Sequence, residues 1–286
     1  MPASATKLIF MGTPAFAVPS LEILHAHGYP IAAVVTAPDK PRGRGKQVPP
    51  SAIKIAAQAH QIPILQPTNL KDPDFLTALA GYNADLCVVV AFRMLPQVVW
   101  SMPRLGTFNL HASLLPSYRG AAPIHWAIIH GEQETGVTTF MIDEQIDTGS
   151  ILAQAREPIY PQDTAETLHN RLQQKGAQLV LKTVQNLAQG NYTATPQVPT
   201  PQDLLRKAPK IYKADCQIQW HQDAPTIANF IRGLSPAPAA WTTLNGQTYK
   251  ILAAQVASGC PMHLLPGQVH TDGKHHIWVG TQGLPL

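Results

Sequence analysis

The stretch Asp85-Leu86-Cys87-Val88-Val89-Val90-Ala91-Phe92 is apolar at every position after its first. A strand with one wet face would alternate polar and apolar residues. A continuous valine-rich run instead suits a strand buried on both faces, the central strand of a parallel sheet covered by helices. The chain before it agrees. Residues 7–11 form a short apolar strand ending at Gly12, and Pro14–His27 reads as a helix with Pro19 tolerable near its start. Ile31–Val35 is a second buried strand. This β-turn-α-β opening starts a parallel α/β sheet. Helices over 51–60 and 73–80 and a short strand over 63–66 continue the alternation.

After the apolar run, Leu95–Trp100 is a short helix, and Thr107–His111 is a strand expected beside it. Ala122–His130 is helical, and Gly136–Ile142 and Ile151–Arg156 read as paired strands. Asp163-Thr164-Ala165-Glu166 has the form of a capping box. Leu168, Leu172, Leu179, Val180, Val184 and Leu187 follow at helical spacing until Gly190. A proline-rich connector comes next, and from Ile211 the texture changes to short β segments: Ile218–Trp220, Trp241–Thr243, Tyr249–Ile251 and Ile277–Val279. Gly and Pro turns separate them, with one helix near Pro225–Ile231, a pattern that suggests a small barrel. A chain of 286 residues has room for two such cores.

The opening turn, Gly12-Thr13-Pro14-Ala15-Phe16-Ala17, has one glycine where a dinucleotide fingerprint needs three, and no carboxylate closes the second strand. The fold class stands without NAD or FAD. Cys87, Cys216 and Cys260 share no close spacing, so no disulfide framework is expected, and Cys87 reads as a core residue. The histidines lack partners at ligand spacing, so no metal is expected. Absence of a leader-like or membrane-length apolar run points to a soluble cytoplasmic protein.

Asn109 and His111 share one face at the end of their strand, before the loop Ser113-Leu114-Leu115-Pro116-Ser117-Tyr118-Arg119-Gly120. An amide beside an imidazole can hold a developing oxyanion and move a proton. Asp147, in Ile142–Gly149, could fix the imidazole's charge or relay protons. The residues alone leave a structural role open for all three. The net charge is only +4, but Pro38–Lys46 carries Lys40, Arg42, Arg44 and Lys46 against Asp39. Glycines between those cations allow side chains to reach phosphates, although a solvated surface loop is the simpler reading. Arg206, Lys207, Lys210 and Lys213 form a second basic cluster.

Phe10–Ala17, the Pro38–Lys46 loop, Asn109-Leu110-His111, Ser113–Pro116 with Tyr118–Pro123, and Asp147-Thr148-Gly149 together resemble the methionyl-tRNA formyltransferase family. Motif order and spacing carry the resemblance over nearly the whole chain. It implies a Rossmann-like catalytic domain over 1–190, a linker over 191–209 and an OB-like tRNA-binding barrel over 210–286. It implies formyl transfer from 10-formyltetrahydrofolate to the α-amine of methionine on initiator tRNA, through amine attack and a tetrahedral intermediate. Asn109, His111 and Asp147 are then catalytic, and Ser113, Leu114, Leu115, Pro116, Val90, Ala91, Phe92 and Leu95 line the folate site. Arg42, Arg44, Lys46, Lys207, Lys210 and Lys213 meet tRNA, and the chain acts as a monomer.

Two departures stand out. Phe92-Arg93 replaces a tyrosine-glycine form, and Gly283–Leu286 looks like a strand cut short of the family's further barrel strands. The same trio would serve a formyltransferase or formyl-folate hydrolase with a small acceptor, such as a sugar nucleotide amine or a purine precursor. A non-catalytic RNA-binding protein has no reason to keep the trio together.

Overall fold

The computed structural model describes residues 6–39, 49–198, 205–257 and 262–286. Arg42, Arg44, Lys46 and Cys260 lie outside the described residues. In chain order the elements are β1 (Leu8–Gly12), α1 (Val18–Ala26), β2 (Ile31–Val35), α2 (Ala52–Ala59), β3 (Ile64–Leu65), α3 (Pro73–Gly81), β4 (Leu86–Val90), α4 (Gln97–Trp100), β5 (Thr107–His111) and β6 (Arg119–Gly120). They continue with α5 (Pro123–Ile129), β7 (Glu134–Met141), β8 (Ile151–Pro158), α6 (Ala165–Gln189), β9 (Lys207–Ala208), α7 (Ala224–Leu234), β10 (Ala240–Leu244), β11 (Gln247–Ile251), β12 (Val269–Thr271) and β13 (Ile277–Val279).

The main sheet has the order β3-β2-β1-β4-β5-β7-β8. Pairs β1–β2, β2–β3, β1–β4 and β4–β5 are parallel, and β5–β7 is antiparallel. The apolar run is β4, buried at every residue between β1 and β5. Desolvation there pushes the Cys87 thiol up to about 12, although a hydrogen bond from Thr107 opposes it, so Cys87 is an inert core residue. The chain turns back across the sheet between β1 and β4. Carboxyl ends of strands around such a reversal form the usual ligand crevice of open α/β sheets.

Alternation along β5 decides which face meets which layer. Leu110 packs against Gly176 of α6, and on its β7 neighbour Thr139 bonds Thr183 of the same helix at 2.8 Å. Asn109 and His111 therefore point to the other face. Val89, in register with Asn109, places the cluster of Cys87, Val89, Leu95 and Val99 on that face, with Phe92 packed against it.

Several expectations change in detail. The run ends as a strand at Val90 because Ala91 adopts φ +49°, which breaks the extended backbone. The first helix begins with a 3-10 turn over Ala15–Ala17 that places Pro19 in the first turn of α1. The box at the start of α6 joins Thr164 and Thr167 rather than Asp163 and Glu166. Each threonine hydroxyl accepts from the other's amide, and buried Asp163 accepts from Tyr160 N and Thr167 Oγ1. Ile218–Trp220 is not a strand; Gln217 makes one parallel bridge with Trp241, and Ile218 N donates to Trp241 O at 2.9 Å.

Packing divides the chain into two units, each with its own core. One comprises Met1–Arg119, Gly136–Glu157 and Asn170–Leu205; the other comprises Gly120–Thr135, Pro158–His169 and Arg206–Leu286. In the second, α7 buries Ala224, Ile227, Ile231 and Leu234 against Cys216, Ile218, Ala240 and Leu286. Its described strands include two antiparallel hairpins, β10–β11 and β12–β13, the small antiparallel strands expected of a barrel. Leu286 exchanges both backbone hydrogen bonds with Val279. Among the described residues no helix is long and apolar enough to cross a membrane.

Candidate active site

Strand β5 delivers Asn109 and His111 two residues apart, roughly 7 Å along one face. His111 is 6% exposed, and its Nε2 lies 2.8 Å from the carbonyl oxygen of Tyr118. A carbonyl only accepts, so Nε2 carries a proton and the tautomer is set by the backbone. Nδ1 then faces the Asp147 carboxylate, with Oδ2 3.7 Å away. That gap exceeds a direct hydrogen bond. Neutral His111 offers a lone pair at Nδ1; the cation offers N–H there, with its charge balanced by Asp147. Asn109 is half-buried and, among the described residues, none hydrogen-bonds its carboxamide.

Asp147 sits in a tight turn between β7 and β8 at φ +56°. Asp143 shapes that turn, its Oδ1 accepting from Gln145 N at 3.1 Å and from Thr148 Oγ1 at 2.8 Å. Of the carboxylates in Ile142–Gly149, Asp143 and Glu144 are exposed and only Asp147 turns to the histidine. The turn's carbonyls are also held: Gln197 Nε2 donates to Asp147 O and to Gly149 O, both at 2.9 Å.

Ser113, Leu114, Leu115 and Pro116 follow β5 as a built loop. Ser113 and Leu115 are buried, while Leu114 and Pro116 are half-buried. Buried Thr138, opposite His111 on β7, holds the loop: its hydroxyl donates to Ser113 O at 2.7 Å and accepts from Leu115 N at 3.2 Å and Gln154 Nε2 at 2.9 Å. Gln154 also donates to Leu115 O at 2.9 Å. Thr138→Val keeps the shape but leaves Ser113 O and Leu115 N unmet. It is expected to cost about 2–4 kcal/mol, measured by urea unfolding.

Val90 ends β4 beside Leu110, and Ala91–Leu95 extend from there. Ala91 is exposed, Phe92 packs on the core, and Leu95 is buried. Backbone amides of Phe92–Leu95 donate to no described group, leaving an open edge of donors beside an apolar floor. Arg93 is tied elsewhere: its guanidinium lies 5.6 Å over the Phe92 ring and donates to Thr68 O at 2.9 Å and to Pro67 O. Desolvation pushes that guanidinium below its usual value.

The structure thus brings Asn109, His111 and Asp147 together, with the loops after β4 and β5 at the same sheet end. Lys207, Lys210 and Lys213 are all exposed in the second unit, with Lys210 Nζ 5.1 Å over the Tyr212 ring; Arg206 pairs with Glu132 at 3.4 Å. Sequence reading missed Thr138, Gln154, Gln197 and the Tyr118 carbonyl. A threonine in a buried strand was the one available hint.

A family model described as "Formyl transferase" matches residues 6–184, and one described as "Formyl transferase, C-terminal domain" matches residues 210–286. With the α/β sheet and the site at its strand ends, these define an enzyme of the formyltransferase class. The methionyl-tRNA formyltransferase of Azobacteroides pseudotrichonymphae genomovar. CFP2 is 51% identical over 291 residues, covering 99% of this chain and 90% of that protein. That of Parabacteroides distasonis is 52% identical, covering 96% and 87%. The chain belongs to the methionyl-tRNA formyltransferase family, as its motifs suggested. Among solved structures, WlaRD, a sugar 3N-formyl transferase with dTDP and 5-N-formyl-THF, matches at a TM-score of 0.70 and 21% identity, over 98% of this chain and 96% of its own. HypX from Aquifex aeolicus in complex with tetrahydrofolic acid matches at 0.65 and 20% identity, over 97% and 42%. At such identities the likeness is one of fold.

Proposed function

We propose that the protein formylates the α-amine of methionine on initiator tRNA, with 10-formyltetrahydrofolate as donor, and so prepares the tRNA for initiation. The observation that carries the chemistry is the imidazole fixed by Tyr118 O, with Nδ1 turned to Asp147 beside the unused amide of Asn109. The neutral amine attacks the formyl carbon and forms the new C–N bond. The carbonyl oxygen becomes an oxyanion that Asn109 and His111 hold, each such donor supplying roughly 10²- to 10³-fold in rate. Asp147 takes the proton from the attacking nitrogen and returns it to folate N10 as the C–N10 bond breaks. An α-amine titrates near pH 8, so no strong base is needed.

The apolar floor and free amides of Phe92–Leu95 suit a flat heterocycle with hydrogen-bonding edges. The folate therefore sits against Val90, Ala91, Phe92 and Leu95 on one side and the Ser113-Leu114-Leu115-Pro116 loop on the other. In this reading residues 1–190 catalyse, 191–209 link, and 210–286 hold tRNA, in a cytoplasmic monomer. Arg42, Arg44 and Lys46 join Lys207, Lys210 and Lys213 at the phosphates.

Purified protein with 10-formyltetrahydrofolate and either charged initiator tRNA or a sugar amine tests the acceptor. Formylation of the small amine and not of the tRNA would overturn the reading. If the three lysines meet phosphates, their joint replacement by alanine raises the KM for tRNA. It also lowers the slope of log KM against log salt by about one for each phosphate left without its lysine. The KM for folate stays unchanged.

A further inference from the structure

The described part of the connector after α6 is attached to the active-site turn by one side chain. Thr195 exchanges two backbone hydrogen bonds with Ile151, at 2.8 and 2.9 Å, where the edge strand β8 begins. Gln197 follows two residues later and is half-buried in an otherwise exposed segment, 191–198. Its Nε2 sits between Asp147 O and Gly149 O, 2.9 Å from each, and its Oε1 takes a hydrogen bond from Arg119 Nη2 at 2.5 Å. Only one amide orientation satisfies all three partners, because two carbonyls need the NH₂ and a guanidinium needs the oxygen. Arg119 directly follows Tyr118, whose carbonyl fixes His111. One amide therefore ties the turn carrying Asp147 to the loop that orients His111.

We infer that Gln197 is a positioning residue for formyl transfer: it clamps the 147–149 turn so that the Asp147 carboxylate stays opposite His111 Nδ1. The inference rests on the proposed catalytic role of Asp147. Asp147 holds its left-handed φ of +56° with a 3.7 Å gap to His111. Small rotations of the turn change that gap directly, and misplacement by about 1 Å can cost roughly 100-fold in rate. Gln197 touches neither catalytic side chain, only the backbone that carries one of them.

The test is a double-mutant cycle on the full chain, read as kcat and KM for formylation of charged initiator tRNA. Gln197→Ala removes the whole clamp. Gln197→Glu loses both donors yet keeps a partner for Arg119. Each is expected to lower kcat about 10- to 100-fold, with both KM values within about twofold and the urea midpoint nearly unchanged. In an Asp147→Asn background, which keeps the turn's backbone and removes the carboxylate, adding Gln197→Ala should change kcat less than about twofold, because the group it positions is gone. Independent, multiplying losses would overturn the clamp, as would a rise in KM alone or full kcat in both single variants. Global unfolding of both would also overturn it, assigning Gln197 to the fold. Full activity of Asp147→Asn on its own would instead remove the catalytic reading of Asp147, and this inference with it.

Discussion

Asp147→Asn is expected to lower kcat for formyl transfer by about 10²- to 10⁴-fold, the range for a positioned proton-transfer group. Thermal stability and the KM for folate should scarcely move. Asparagine is the informative replacement because Asp147 occupies φ +56°, a conformation asparagine tolerates well and alanine does not. The turn itself is built by Asp143, which bonds Gln145 N and Thr148 Oγ1, and by the Gln197 amide on the carbonyls. None of those contacts uses the Asp147 carboxylate. Its Oδ2 instead lies 3.7 Å from His111 Nδ1, in a position only 12% exposed. Single-turnover formylation separates the outcomes. A slow chemical step with normal folding places Asp147 in the proton path. Asp143→Ala should do the reverse, loosening the turn and lowering stability, because its carboxylate serves the backbone. Equal losses of kcat from Asp147→Asn and Asp143→Asn would leave no special role for Asp147.

Periodicity made the sheet legible because burial leaves a mark on every residue of a strand. The unbroken run that became β4 specified a strand covered on both faces, and β2 appears over Ile31–Val35 as read. Places where the reading slipped are those governed by single backbone torsions or local side-chain competition. Ala91 looks like one more apolar strand residue, yet φ +49° ends β4 there. At α6, Asp163 and Glu166 had the spacing of a box, but Thr167 captured the Thr164 amide and Asp163 turned to Tyr160 N. For the site, Asn109 and His111 were legible as a strand-end pair because alternation places them on one face. Asp147 was one of several carboxylates in its stretch, and residue chemistry alone did not separate it from Asp143. The Asp147-Thr148-Gly149 motif singled it out only through the family resemblance, and the folded turn supplies the physical distinction. Gln197 left no trace at all. It lies in a proline- and threonine-rich connector, and its three partners are 48 to 78 residues away in sequence.

Gly149→Ala is expected to be the most destabilising small substitution near the site, costing at least about 3 kcal/mol. A Cβ there would stand 1.6 Å from the carbonyl oxygen of Met141 and 2.8 Å from its carbonyl carbon, and both are backbone atoms in β7. No rotamer change relieves such an overlap, so the strand or the turn must move. Met141 N is bonded to Ser150 O at 2.9 Å, and Met141 is in register with Phe108 on β5. The displacement therefore reaches the strand carrying Asn109 and His111 on one side and the turn carrying Asp147 on the other. Activity and stability should fall together, with a thermal midpoint lower by roughly 6–12 °C for a chain of this size. Gly190→Ala is the control that isolates the cause. Gly190 has φ +69° but nothing within 4 Å of the added carbon, so it should lose only about 1–2 kcal/mol from backbone strain and keep full kcat. If the two variants lost equal stability, closeness to β7 would not be what position 149 requires. A larger loss at 149, accompanied by a fall in kcat, would locate the requirement in the close approach that holds both halves of the site at one distance.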